Sequence, residues 1–139
     1  MILLDTNIIS ELIKPAPDAN VTRWYLINAS QCWISSITIA ESAYGIAKLD
    51  PGKKRTMLMT QLTDWRIAHA NRTHIFSAST AMIYGEIMAN ARRSGHNMAV
   101  PDAQIAAIAE EHGLVLATRN RRDFLTTTLT LTDPWSLMQ

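Results

Sequence analysis

The first five residues constrain the fold most. Met1-Ile2-Leu3-Leu4 is a short apolar run with no polar alternation, and it ends abruptly at Asp5. Such a run suits a strand buried on both faces, the usual setting of a parallel strand covered by helices. Beyond Asp5 the spacing turns helical, with Ile8, Ile9, Leu12 and Ile13 on one side. In open parallel sheets, ligands sit outside the carboxyl ends of the strands. A carboxylate at that point must find a compensating partner, so Asp5 is read as the first ligand of a metal site.

The rest of the chain repeats the same alternation. Lys14-Pro15-Ala16-Pro17 breaks the first helix, and Asp18 caps a second through Val21, Trp24, Tyr25 and Asn28. Cys32 to Ser35 reads as strand two, followed by a helix from Thr38 to about Leu49 and a turn at Asp50-Pro51-Gly52. A fourth helix starts near Lys53, with Leu58, Leu62 and Trp65 on one face, and His74-Ile75-Phe76 reads as strand three. Ser77 opens a helix carrying Tyr84, Ile87, Met88 and Ala91, which stops at Arg92, Arg93 and Gly95. Pro101-Asp102 begins another, Ala103 to Glu111, closed by His112-Gly113. Leu114 to Ala117 and Leu129 to Leu131 complete the strands. Alternating strands and helices predict an α/β fold, with a central parallel sheet of about five strands flanked by helices on both sides. One domain is expected over 1–139, with no internal repeat or linker.

Composition excludes more than it selects. At 139 residues the chain can bury a core of its own. A net charge of +1 is too small to argue for nucleic acid by itself. Cys32 is the only cysteine, so no intrachain disulfide forms, and a cytoplasmic protein is expected. Asp5 interrupts the apolar N-terminus, so no signal-peptide core is expected there. No run is long enough to span a bilayer.

Four carboxylates fall at comparable points: Asp5 after strand one, Glu41 in the first turn of the helix after strand two, Asp102 opening the helix before strand four, and Asp123 in the loop after it. Gathered in one cleft, they would raise one another's pKa values. A divalent cation removes that repulsion, and few carboxylates with several waters suit Mg²⁺ or Mn²⁺. The chemistry expected is metal-assisted hydrolysis of a phosphodiester. Each residue taken alone also suits a structural role. Thr38 and Glu41 fit a capping box, Asp102 fits a helix cap, and Asp123 fits an ordinary loop.

Several other groups stand near these positions. Arg119, Arg121 and Arg122 beside Asp123 are candidates for holding phosphates at the mouth of the cleft. Glu11 either faces the cleft or pairs with Lys14. The four histidines lack metal-ligand spacing and are read as structural. Trp24, Trp33, Trp65 and Trp135 are assigned to core or interface in preference to base stacking.

The motifs Asp5-Thr6-Asn7 with Ser10-Glu11, Thr38-Ile39-Ala40-Glu41 with Gly45, Asp102 to Ala107 with His112-Gly113, Thr118-Arg119-Asn120 with Asp123-Phe124, and Pro134-Trp135 together resemble the PIN-domain family. The VapC/FitB-like toxins of bacterial toxin–antitoxin pairs are the subgroup most similar. The resemblance covers essentially the whole chain. It implies a Mg²⁺-dependent endoribonuclease toxin, with Mn²⁺ able to substitute, that cuts RNA, tRNA foremost. By motif, Asp5, Glu41, Asp102 and Asp123 form the acidic quartet, with Asp5 and Asp102 as direct metal ligands. Glu41 and Asp123 then act through water or at a second metal position. Thr6, Asn7, Thr118 and Asn120 orient carboxylates or waters. Implied partners are a VapB/FitA-like antitoxin, a second copy of the chain in a homodimer, and operator DNA reached only through the antitoxin. The alternative within the family is a FitB-like partner in a DNA-binding complex with little or no nuclease activity. A haloacid-dehalogenase-like phosphohydrolase is disfavoured, because Asn7 stands where a second aspartate is needed.

Overall fold

In a computed structural model, which describes residues 1–136, five parallel strands form one sheet in the order β3-β2-β1-β4-β5. The strands are β1 (Ile2–Leu4), β2 (Cys32–Ser35), β3 (Thr73–His74), β4 (Val115–Ala117) and β5 (Leu131–Thr132). β1 is central, with Leu3 opposite Trp33 of β2 on one side and Leu116 of β4 on the other.

Six helices connect them. α1 (Thr6–Leu12) and α2 (Ala19–Asn28) lead from β1 to β2, and α3 (Ser36–Ala47) and α4 (Lys53–Ala68) from β2 to β3. α5 (Ala78–Arg93) and α6 (Val100–His112) cross back from β3 to β4. Strand residues alternate between faces, and the two cores show it. Leu4, Cys32, Ile34 and Ala117 pack with Ile8, Ile9, Val21, Trp24, Ile46 and Leu62 from α1 to α4. Leu3 and Leu116 pack on the opposite face, with Ile87 and Ala91 of α5 and Ala103 to Ala109 of α6. The chain moves outward from β1 to β3 with helices on one face, then reverses direction and takes the other face. Right-handed crossovers require that exchange. The expected fold is therefore present.

Element boundaries differ from the sequence reading at several places, four of them for an identifiable local reason. α3 begins at Ser36 because Ser35, the last residue of β2, is its cap and accepts from the Thr38 amide at 3.1 Å. Thr38 is thus inside the helix and buried, and Glu41 lies in the second turn, so the capping-box reading does not hold. α6 begins at Val100, capped by Ala99, with Pro101 in its first turn; Asp102 is not the cap. β3 is Thr73–His74 instead of His74 to Phe76, since the Phe76 amide leaves the ladder for Ser36 Oγ at 3.1 Å. β5 lies at Leu131–Thr132, beyond the expected start, because the Leu129 amide turns to Thr127 Oγ1. Gly113 ends α6 at φ 63°, the left-handed conformation a glycine adopts without penalty.

Candidate active site

The strand order reverses between β1 and β4: β2 follows on one side of β1, and β4 on the other. Ligand crevices form at such a switch point, and Asp5 and Thr118 stand there as the residues following the two strands. The ladder runs past both strand ends. The Asp5 amide donates to Ala117 O at 2.9 Å, and the Thr118 amide to Thr132 O at 2.9 Å. Both side chains are thereby fixed by backbone hydrogen bonds.

Asp5 is 4% exposed and is held by three donors. As cap of α1 it accepts from the Thr6 amide at 2.8 Å through Oδ1. Its Oδ2 accepts from Thr118 Oγ1 at 2.7 Å and from Asn7 Nδ2 at 3.3 Å. Asn7 Oδ1 in turn accepts the Arg119 amide at 3.4 Å, and Thr118 Oγ1 accepts the Asn120 amide at 3.1 Å. Asp5 remains acid-weakened nonetheless. Burial raises its pKa, the Thr118 and Thr6 hydrogen bonds oppose that, and the charges of Glu41 and Asp123 raise it again.

The other three acids gather around it. Glu41 projects from α3 and accepts from Thr6 Oγ1 at 2.6 Å, so Thr6 ties Asp5 to Glu41 through its amide and its hydroxyl. Asp102, in the first turn of α6, is half-buried, and its pKa is pushed up to about 6. Burial is the largest cause, followed by the charges of Asp5, Asp123 and Glu41. Asp123 sits in the 3₁₀ turn Arg121–Phe124, close enough to act on both aspartates.

A cleft of about 400 Å³ opens beside these groups; Asp5, Thr6, Asn7, Glu41, Asp102, Arg119 and Asn120 line it, while Asp123 and Thr118 stand behind its wall. Seven of the positions expected from sequence are therefore together in one cavity wall. Arg121 and Arg122 are exposed on the 3₁₀ turn and do not line it.

Three further residues line the cleft that sequence reasoning had not placed there: Ser10, Lys14, read as a partner for Glu11, and Trp135, read as core or interface. Ser10 is about one helical turn beyond Asn7, a spacing that predicts a shared face. Lys14 donates to Glu11 at 2.9 Å, and Glu11 also accepts the Asp18 amide at 2.9 Å. Both readings of Glu11 thus hold, since the pair forms and lines the cleft. Trp135 follows the end of β5, another strand end on the same edge.

The donor set can be tested against a divalent cation. Four carboxylates raise one another's charge cost, while Lys14 is engaged by Glu11, and Arg119 lies over the Trp135 ring. The site has a surplus of negative charge and only hard oxygen ligands, which suits Mg²⁺ or Mn²⁺. Among the described residues no three His, Cys, Asp or Glu side chains are disposed to enclose an ion directly.

A parallel α/β sheet with acids gathered at its switch point is the class of protein that fold and site define. Comparison with known proteins narrows it. The PIN-domain model matches residues 2–127. VapC ribonuclease Y4jK of Sinorhizobium fredii is 38% identical over 139 residues, 97% of this chain and 98% of its own. Toxin FitB of Neisseria gonorrhoeae is 36% identical over 137 residues, 97% of this chain and 99% of its own. The structure of FitAB bound to a DNA fragment superposes with a TM-score of 0.88 at 34% identity, covering 100% of this chain and 99% of that one. DNA-bound VapBC from Salmonella typhimurium gives 0.78 at 27% identity, over 96% and 97% of the two chains. The chain belongs to the PIN-domain family, and its homologues include VapC and FitB toxins.

Proposed function

We propose that this protein is a Mg²⁺-dependent endoribonuclease and the toxin of a toxin–antitoxin pair. The observation that carries the reading is the convergence of Asp5, Glu41, Asp102 and Asp123 at the β1/β4 switch point. Relatives named as VapC ribonucleases, one of them a tRNA(fMet)-specific endonuclease of Shigella flexneri, support RNA, and tRNA in particular, as substrate. Neighbours solved as VapBC and FitAB complexes support a VapB/FitA-like antitoxin as partner. Several of those complexes hold DNA. That favours operator contact through the antitoxin, and it is also the basis of the second reading, a FitB-like regulatory partner with little nuclease activity. A homodimer and a cytoplasmic location belong to the same proposal.

Asp5 and Asp102 would hold the metal, with Glu41 and Asp123 acting through water or at a second position. When bound, the ion supplies a Lewis acid and lowers the pKa of water. The chain's own groups do the rest. Thr118, Thr6 and Asn7 fix the Asp5 carboxylate in one orientation. Thr6 places Glu41 beside it. Without the ion, burial and the neighbouring carboxylates push the Asp102 pKa up to about 6, a cost that a bound cation would relieve by favouring the charged form. Arg119 offers a cation at the cleft for phosphate, and Arg121 and Arg122 extend positive charge along the adjoining turn.

Purified protein with Mg²⁺ should cut tRNA, and chelation should stop it. Thr118→Val removes the hydroxyl that orients Asp5 and keeps the side chain's shape. It should lower metal affinity or cleavage rate about 10–100-fold, the usual cost of losing such a partner. Cleavage that persists in excess chelator removes the metal from the proposal. No cleavage by the metal-loaded protein favours the regulatory reading.

A further inference from the structure

The tryptophans separate into two kinds. Trp24 is buried in the core beneath α1 to α4. Trp65 lies flat on His69, ring centres 4.5 Å apart, and Trp33 flat on His74 at 4.3 Å. Trp135 packs partly against the same core cluster as Trp24, but it also reaches the cleft. It is half-buried in the wall of the acidic cleft, with the Arg119 guanidinium carbon 5.0 Å from its ring centre.

Arg119 is the informative member of this pair. It stands in a cleft with a surplus of carboxylates, yet among the described residues it forms no ion pair and lies over the aromatic ring instead. The ring quadrupole attracts the cation without consuming its hydrogen-bond donors. Both residues are anchored through their backbones. The Trp135 amide donates to Asp133 Oδ1 at 2.9 Å. The Arg119 amide bonds Asn7, the same side chain that holds Asp5. The pair is thus tied in position to the carboxylate at the centre of the site.

We propose that Trp135 and the Arg119 guanidinium form a stacking platform for one unpaired nucleobase beside the scissile bond, and that it selects purine over pyrimidine there. The inference rests on the nuclease reading and adds to it a specificity-determining pair. Aromatic rings and guanidinium planes are the surfaces on which splayed bases of RNA stack. A base within a duplex is already stacked on its neighbours, so an unpaired base is the one free to use such a surface. Purines offer the larger face, so the platform favours them through stacking strength and not through a hydrogen-bond code.

Binding to the Asp5→Asn variant in Mg²⁺ separates recognition from cutting. Short oligoadenylate should bind more tightly than oligocytidylate. Adding Trp135→Leu should weaken oligoadenylate about tenfold or more and erase the difference between the two. Trp135→Phe should restore most of the preference, a rescue that loss of packing alone does not explain. If the leucine variant does not fold, fluorescence decides. Oligoadenylate should quench tryptophan emission of the parent, and this quench should vanish in Trp135→Phe. Unchanged affinities in the leucine variant, or a quench that survives in the phenylalanine variant, overturn the platform and leave the nuclease standing. Failure of the parent to bind either oligonucleotide, together with failure of the native chain to cut RNA, overturns both.

Discussion

Replacing Asp5 by asparagine should abolish RNA cleavage and leave the fold intact. The two effects separate because Asp5 has two jobs. Its Oδ1 caps α1 by accepting the Thr6 amide, and asparagine caps a helix about as well as aspartate. The Nδ2 that replaces Oδ2 can donate to Thr118 Oγ1 once that hydroxyl turns to accept. What asparagine lacks is the negative charge that binds a cation. The loss of activity should exceed about a hundredfold, which is already the cost of removing an outer partner of a metal site. Circular dichroism and the melting temperature should match the native chain, or improve slightly, since a carboxylate whose ionisation is opposed by burial and by Glu41 and Asp123 is gone. A variant that cuts RNA at the native rate would remove Asp5 from the mechanism.

Asp102→Asn should be inactive yet more stable than the native chain when both are free of metal. The Asp102 pKa is raised from 3.8 to about 6 by burial and by three neighbouring charges, and no hydrogen bond offsets the shift. In the folded state this carboxyl therefore binds a proton more tightly than in the unfolded chain. Its contribution is fully favourable below about pH 4 and is lost as pH rises through 6, so at neutral pH it costs stability. Because the group is half-exposed, solvent screens much of the interaction, leaving about 1 kcal/mol. For a chain of this length that corresponds to roughly 3–5 °C in melting temperature. The advantage of the asparagine variant should be full at pH 7.5, smaller at pH 5 and absent below pH 4. Added Mg²⁺ should narrow it from the other side by stabilising only the native chain. A variant less stable than native across that range would contradict the electrostatic picture of the site.

The fold was legible because its strands are short apolar runs that end in recognisable chemistry. Met1 to Asp5 marked the central strand, and Cys32 to Ser35 matches β2 residue for residue. Ser77 and Asp18 are caps where the pattern placed them. Misplaced boundaries arose where one residue serves two elements. Ser35 ends β2 and caps α3, and two candidate caps three residues apart look alike in sequence. That shift also set the phase of Glu41, which reaches Thr6 only because it lies in the second turn. The quartet itself was legible from strand ends. For Trp135 the core reading holds, since it packs against the cluster around Leu4 and Trp24, but its second contact, in the cleft beside Arg119, was not legible. The edge strands β3 and β5 have two paired residues each, too few for periodicity to fix their register.

The central claim is that carboxylates from β1, α3, α6 and the turn after β4 hold one divalent-ion site. A crystal soaked in Mn²⁺ tests it most directly, because anomalous scattering locates the ion without assuming its ligands. The expected result is a peak about 2 Å from oxygens of Asp5 and Asp102, with waters completing the shell towards Glu41 and Asp123. Manganese bound elsewhere, with the cleft ordered and carrying no anomalous peak, would contradict the account.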